Sequence, residues 1–298
     1  MWQPEMEEYE FHLEEGLYWM EEGDFEEALN SFQRAIQADP DQPDAYFYIG
    51  YALAEQEAYD EALDAYRTTL RVANKALSQL EERGPWWVDS NTHTYLKALR
   101  EMGWIHYKQG DYEDAINEFC RLLDLNPQDS LGVVHLLAEA YLRLNQPEPV
   151  MEIYELMEQA YHEQMTSSRR IFDQEEEQYR QAFEIHWQGK EKEKEEFFHF
   201  LREEQEKRVE ELKLESIAYY NHGLAYWISG SIKGAEEKWE KGLAGNPFVA
   251  SLLLEDRYLP LDDPEYYKAR DYVKRFGDFW KSHNPALVVL RKLWKGKT

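Results

Sequence analysis

The hexapeptide Gly23-Asp24-Phe25-Glu26-Glu27-Ala28 returns almost intact as Gly110-Asp111-Tyr112-Glu113-Asp114-Ala115. Looser versions stand at Glu57-Ala58-Tyr59-Asp60-Glu61-Ala62 and at Gly230-Ser231-Ile232-Lys233-Gly234-Ala235. Ala28 and Ala62 are 34 residues apart, the period of a helix-turn-helix unit. One such unit cannot bury its apolar face alone, so neighbouring units must stack. The recurrence therefore predicts an all-α array of helical hairpins.

Around each turn, small and large residues recur in register. The first copy starts at Tyr9 and has Gly16, Trp19, Ala28, Phe32, Ala35 and Pro40. The second starts at Pro43, with Gly50, Leu53, Ala62, Tyr66 and Thr69, and Asn74 where a proline is expected. The third starts at Leu96, with Gly103, His106, Ala115, Phe119, Leu122 and Pro127. A weaker fourth starts at Leu131, with Ala138, Tyr141, Val150, Tyr154 and Met157. The fifth starts at Ser216, with Gly223, Tyr226, Ala235, Trp239, Gly242 and Pro247. Small residues let two helices approach closely, large ones fill the layer between hairpins, and the proline ends the second helix.

This pattern resembles the tetratricopeptide-repeat (TPR) family: small at position 8, aromatic at 11 and 24, alanine at 20 and 27, proline at 32. The resemblance implies a TPR-type helical-hairpin solenoid. The expected organisation is repeats one to four over residues 1–158, with a short insertion at 76–95, a long charged helical arm at 159–215, a fifth repeat at 216–249 and C-terminal capping helices at 250–298. The insertion follows from the proline missing in the second copy. Its second helix runs on until Gly84-Pro85, and Trp86-Trp87-Val88 follow. The arm has no proline and one glycine, Gly189, and is rich in Glu, Lys, Gln and Arg. Phe172, Tyr179, Phe183 and Trp187, then Phe197, Phe198, Leu201, Val209 and Leu212, recur at helical spacing, so one or two long amphipathic helices are expected.

The tail reads as a short apolar helix near Phe248–Leu254, a turn through Leu259-Pro260 and Asp262-Asp263-Pro264, and two closing helices, Glu265–Trp280 and Asn284–Lys295. It is similar to the tail of suppressor-of-tumorigenicity-type TPR proteins and would cover the apolar face of the last repeat.

Charge narrows the partners. The 298 residues carry a net charge of -27, and residues 1–90 hold 22 acidic against 5 basic side chains. Residues 250–298 hold 7 acidic against 10 basic. Such acidity opposes binding to nucleic acid and to anionic membrane surfaces and favours basic protein or peptide partners. A single cysteine, Cys120, allows no internal disulfide and suits a cytoplasmic setting. The Met1-Trp2-Gln3-Pro4-Glu5 start has no basic or apolar leader segment.

Catalytic patterns are missing from the sequence. His162-Glu163 lacks the second histidine of a metalloprotease helix, and there is no phosphate-binding glycine loop and no Gly-x-Ser-x-Gly elbow. No cofactor or metal is expected, and the chain is expected not to be an enzyme. Cys120 is expected to pack rather than react.

The resemblance implies that the first helix of each hairpin lines a concave binding groove. The predicted partner-binding residues are Phe47, Tyr48, Tyr51, Arg100, Trp104, Tyr107, Tyr220 and Trp227, with acidic residues of the first two copies selecting a basic ligand. Aromatic and arginine side chains of this kind become hot spots. The arm or the Trp86-Trp87 insertion could instead fold back and fill the groove. Of the family's chaperone-tail clamp only Lys97 is matched, so carboxylate-terminal peptides are not expected. The leading reading is a protein-protein interaction scaffold. The alternatives are a self-assembling structural protein that dimerises through the arm, and a regulatory domain of an enzyme system.

Overall fold

The computed structural model describes residues 4–78, 90–182, 192, 195–203, 216–255 and 263–296. The Gly84-Pro85-Trp86-Trp87 insertion, the Gly189 break and the Leu259-Pro260 turn lie outside the described residues. The chain divides into two compact units, Met1–Leu144 and Asn145–Thr298. The division falls inside the fourth copy, between its two helices.

The first unit contains α1 (Pro4–Glu22), α2 (Phe25–Ala38), α3 (Pro43–Glu55), α4 (Tyr59–Ser78), α5 (Ser90–Gln109), α6 (Tyr112–Leu125) and α7 (Val134–Arg143). Helices α1 and α2, α3 and α4, and α5 and α6 pair as hairpins, and each hairpin packs on the next. Helix α5 begins at Ser90, six residues before the third copy. Part of the segment read as an insertion is thus helix, because Thr92, Thr94 and Tyr95 are buried on that added turn.

Each hairpin closes on a ring set against a glycine. A Cβ on Gly50 would stand 2.7 Å from Cε1 of Tyr66, and one on Gly103 would stand 2.5 Å from Cε1 of Phe119. Gly16 meets Phe32 in the same way. Phe32, Tyr66 and Phe119 are fully buried, as are Ala28, Ala62 and Ala115 on the same helices. These side chains form the core of the unit, with large rings filling the space that small residues leave.

The second unit contains α8 (Pro147–Ala182), α9 (residues 195–203), α10 (Ser216–Ile228), α11 (Ile232–Gly245), α12 (Pro247–Leu253), α13 (Pro264–Ser282) and α14 (Asn284–Lys295). Helix α8 runs 36 residues without a break. The second helix of the fourth copy and the start of the arm are therefore one helix, with no boundary at residue 159. No proline or glycine lies between 150 and 182 to end it. On α9, Arg202 binds Glu176 of α8 through two hydrogen bonds of 2.7 and 2.8 Å. Glu176 is buried there. Helices α10 and α11 form the fifth hairpin, Gly223 against Trp239. The three tail helices fall where the sequence predicts them, and α14 packs on α11.

A polar chain runs through the core of this unit. Trp280 Nε1 donates to the Tyr272 hydroxyl at 2.8 Å, that hydroxyl donates to Asn221 Oδ1 at 2.8 Å, and Asn221 Nδ2 donates to the Tyr154 hydroxyl at 3.3 Å. All four side chains are almost fully buried. The chain links α13 to α10 and α10 to α8. Buried polar groups satisfied in this way fix one arrangement of the helices they join.

Candidate interaction site

Helices α3 and α5 pack side by side within the first unit, and a concave pocket of about 440 Å³ opens between them. Phe47, Tyr48 and Tyr51 of α3 form one wall. Lys97, Arg100 and Glu101 of α5 form the other, and Ser130 and Leu131 of the α6–α7 loop close one end. Phe47, Tyr48 and Tyr51 lie one helical turn or less apart, so one face of α3 presents all three.

The aromatic wall is braced from behind. Tyr48 stacks on Phe32 of the first hairpin, with centroids 5.6 Å apart. Phe47 sets its ring against Tyr48 at 5.3 Å and against Tyr66 at 5.6 Å. Tyr51 is the exposed member, at 38%. Burial, then the nearby Glu55 and Glu101 carboxylates, push its phenol above the usual tyrosine range. Burial and then Asp44 do the same for Tyr48. Both hydroxyls therefore stay protonated and available as hydrogen-bond donors at any ordinary pH.

The opposite wall carries mixed charge. Arg100 pairs with Glu101 at 2.5 Å and donates from Nε to the Leu131 carbonyl at 3.3 Å. That second bond ties the guanidinium to the loop. Lys97 is exposed and has no ion-pair partner among the described residues. Asp44, one of the acidic residues expected to select a basic ligand, accepts a hydrogen bond from Thr94 of α5.

The other predicted site residues are distributed differently. Trp104 and Tyr107 lie further along α5 and stack with centroids 5.7 Å apart and planes 9° from parallel. Trp104 is half-buried, with the Lys108 ammonium 5.8 Å from its ring centre. Tyr107 is buried, and its hydroxyl donates to Glu139 of α7 at 3.1 Å. That bond turns Tyr107 into the stack of hairpins, so it is not a groove residue. Tyr220, in the second unit, is also a core residue. Its hydroxyl donates to the Asn246 carbonyl at 2.9 Å, and Trp280 of α13 covers its ring. Tyr220 is thus buried against the C-terminal helices. Trp227 is half-buried against Trp239.

The pocket also uses residues that the repeat pattern did not single out. Ser130 and Leu131 sit in a loop held by Asn126, which donates to Ser130 at 2.8 Å. Asp129 accepts from the backbone N–H groups of Val133 and Val134 at 2.7 and 3.0 Å, capping α7. The turn signal Asn126-Pro127 followed by Asp129 and Gly132 marks such a loop. Nothing local in it indicates that the loop reaches α3.

The pocket contains no nucleophile set against a base. Among the described residues no group of three or more His, Cys, Asp or Glu converges as metal ligands. No helix of the described residues is long and apolar enough to cross a membrane. Cys120 is half-buried, its sulfur 3.8 Å from the Tyr141 hydroxyl.

Comparison with known proteins gives consistent results. Two family models, each described as tetratricopeptide repeat, match residues 13–77 and 96–129. The TPR repeat-containing protein MJ1428 of Methanocaldococcus jannaschii is 25% identical over 154 residues, covering 46% of this chain and 27% of that protein. The chain therefore spans about a quarter of the length of this relative. Among solved structures, the MamA protein superposes with a TM-score of 0.50 at 14% identity, over 85% of this chain and 99% of MamA. YrrB, described as a TPR protein with an unusual peptide-binding site, matches with a TM-score of 0.44 at 15% identity, over 79% and 85%. At these identities the structural likeness is one of fold alone. The two family matches span the first three hairpins, and a ring is set on a glycine in four of the five copies, so residues 13–77 and 96–129 are matched as tetratricopeptide repeats.

Proposed function

We propose that this chain is a non-catalytic protein-protein interaction scaffold, and that the pocket between α3 and α5 takes side chains of a partner peptide or protein. The observation that carries this reading is the pocket itself: a braced aromatic wall faces Lys97, Arg100 and Glu101 across a cavity of about 440 Å³. That volume suits one or two side chains, with apolar rings to desolvate and few polar groups to orient them. Tyrosine gives large contact area at low entropic cost, and arginine anchors polar groups.

The acidic surface of the first two copies supports a preference for partners with basic segments, acting at longer range than the pocket. The pocket charges are mixed, so they contribute orientation rather than a single sign. Trp104, beside the pocket on α5, extends the same face.

A display library of random peptides panned on the full chain tests the proposal. Enriched peptides are expected to lose binding at least about tenfold to Tyr51→Ala combined with Lys97→Ala. Circular dichroism should show unchanged helicity, because both side chains are exposed. Peptides that bind this variant as well as the original chain would place the interaction elsewhere.

A further inference from the structure

The repeat register marks which side of each first helix stacks on the hairpin before it. Positions 3 and 10 are Ala45 and Ala52 in the second copy, Ala98 and Ile105 in the third, and Ala218 and Ala225 in the fifth. All six are at most 2% exposed. They lie on helices that pack against a preceding one: α3 on α2, α5 on α4, and α10 on α8. In the first copy the same positions hold Phe11 and Tyr18, exposed at 61% and 55%. The stacking face of α1 thus carries the largest side chains of the set and is uncovered. A repeat face left outside the stack is normally polar, and an exposed aromatic pair on such a face marks an interaction surface.

Charge indicates what fits there. Helix α1 carries eight glutamates and no lysine or arginine. At the other end of the chain, α14 carries Arg291, Lys292 and Lys295 and no acidic residue. Its exposed stripe is Asn284, Val288, Arg291, Lys292 and Lys295, with Val288 exposed at 51%. None of the three cations has an ion-pair partner among the described residues. One helix offers rings edged by glutamates, and the other a small apolar centre edged by cations. The α1 face cannot pair with itself, since eight glutamates on each side would repel.

We propose that the α1 face docks the basic α14 helix of a second copy of this chain. The two surfaces differ, so the contact is heterologous, head to tail, and leaves a free α1 and a free α14 at the ends of every assembly. Association should therefore continue with concentration rather than stop at a dimer. It should weaken as salt screens the glutamate–lysine attraction. This surface is separate from the α3–α5 pocket, so its test does not depend on that reading.

Sedimentation velocity on the full chain tests it. The original chain is expected to show a mass that rises with concentration and falls on raising salt. Phe11→Ser combined with Tyr18→Ser removes one face, and Arg291→Glu combined with Lys292→Glu removes the other. Each variant alone should remain monomeric. Mixed in equal amounts they should form a one-to-one complex and nothing larger, because one intact α1 meets one intact α14. This result also shows that both variants are folded. A chain that is monomeric at every concentration overturns the proposal. So does an α14 variant that assembles like the original chain, since the α1 face would then have another occupant.

Discussion

The ring of Tyr66 occupies the space where a side chain on Gly50 would begin: a Cβ there would stand 2.7 Å from Cε1 and 2.8 Å from Cδ1. The two residues sit 16 apart in sequence, on opposite helices of one hairpin. The same spacing joins Gly16 to Phe32, Gly103 to Phe119 and Gly223 to Trp239. A small residue at position 8 is thus a specific seat for the ring at position 24, beyond a general allowance for helices to approach.

Gly50→Ala should therefore destabilise the first unit, although alanine is the better helix former. Overpacking costs about 1–3 kcal/mol, against about 1 kcal/mol gained in propensity. A net loss of up to about 2 kcal/mol is expected in urea unfolding. Adding Tyr66→Leu should recover part of it, so the double variant will cost less than the two single changes summed.

All five hairpin turns place one residue at positive φ, at position 15 of the copy. Three are Gly23, Gly110 and Gly230, and the others are Glu57 at 60° and Asn145 at 57°. At Glu57 the turn is closed by the Ala58 N–H bonding the Leu53 carbonyl at 2.9 Å, the same six-residue closure seen between Asp24 and Trp19. A glutamate in this region is strained by about 1 kcal/mol. Glu57→Gly should stabilise the second hairpin by about 0.5–1 kcal/mol, measured as a higher urea midpoint. Glu57→Val should lower it.

Asn221 bridges the fifth hairpin to both α8 and α13. Asn221→Ala removes its bonds to Tyr154 and Tyr272 at once and leaves a small cavity. A cost of about 2–3 kcal/mol is expected. Hydrogen exchange is the appropriate measurement, because the effect should be local to one unit. Amides of α10 and α13 should exchange faster, while those of α3 and α4 should not change.

His222 provides a pH dependence. It is 1% exposed, between the rings of Tyr154 and Tyr226, and its Nε2 has no hydrogen-bond partner among the described residues. Burial, then the Lys238 ammonium, lower its pKa from 6.5 to about 4, with Glu158 opposing. The unfolded chain therefore takes up this proton at higher pH than the folded one. Its contribution is intact above pH 6.5 and is lost as pH falls from 6.5 towards 4. About 2 kcal/mol should disappear from the second unit by about pH 5. His222→Gln should show a shallower slope over this window than the original chain, with carboxylate titration common to both.

The hairpins, their turns and the three closing helices were all legible in the sequence. Each is specified by residues within about one repeat of one another: a breaker or cap, a helical apolar period, and a glycine seat for one ring. The candidate site was legible only in part. Phe47, Tyr48, Tyr51 and Arg100 come together in one pocket, as the register suggests. Tyr220, at the position that Phe47 and Arg100 hold in their copies, and Tyr107, at position 12 of its copy, are turned into the core instead. Their neighbours are distant in sequence: Glu139 binds the Tyr107 hydroxyl, and Trp280 covers the Tyr220 ring.

By itself, then, the sequence determined the all-helical repeat, its register and the residues able to face outward. Only the tertiary structure decided which of those residues remain open, that Ser130 and Leu131 complete the pocket, and that α8 runs from the fourth copy into the arm without a stop. Helix and turn formation depends on side chains a few positions apart, which periodicity reports directly. Burial depends on which helix of which other copy lies opposite, and no local pattern encodes that distance. Phe11 and Tyr18 follow the same rule: they hold the register positions that other copies bury, and they are exposed because, among the described residues, no helix packs on that face of α1.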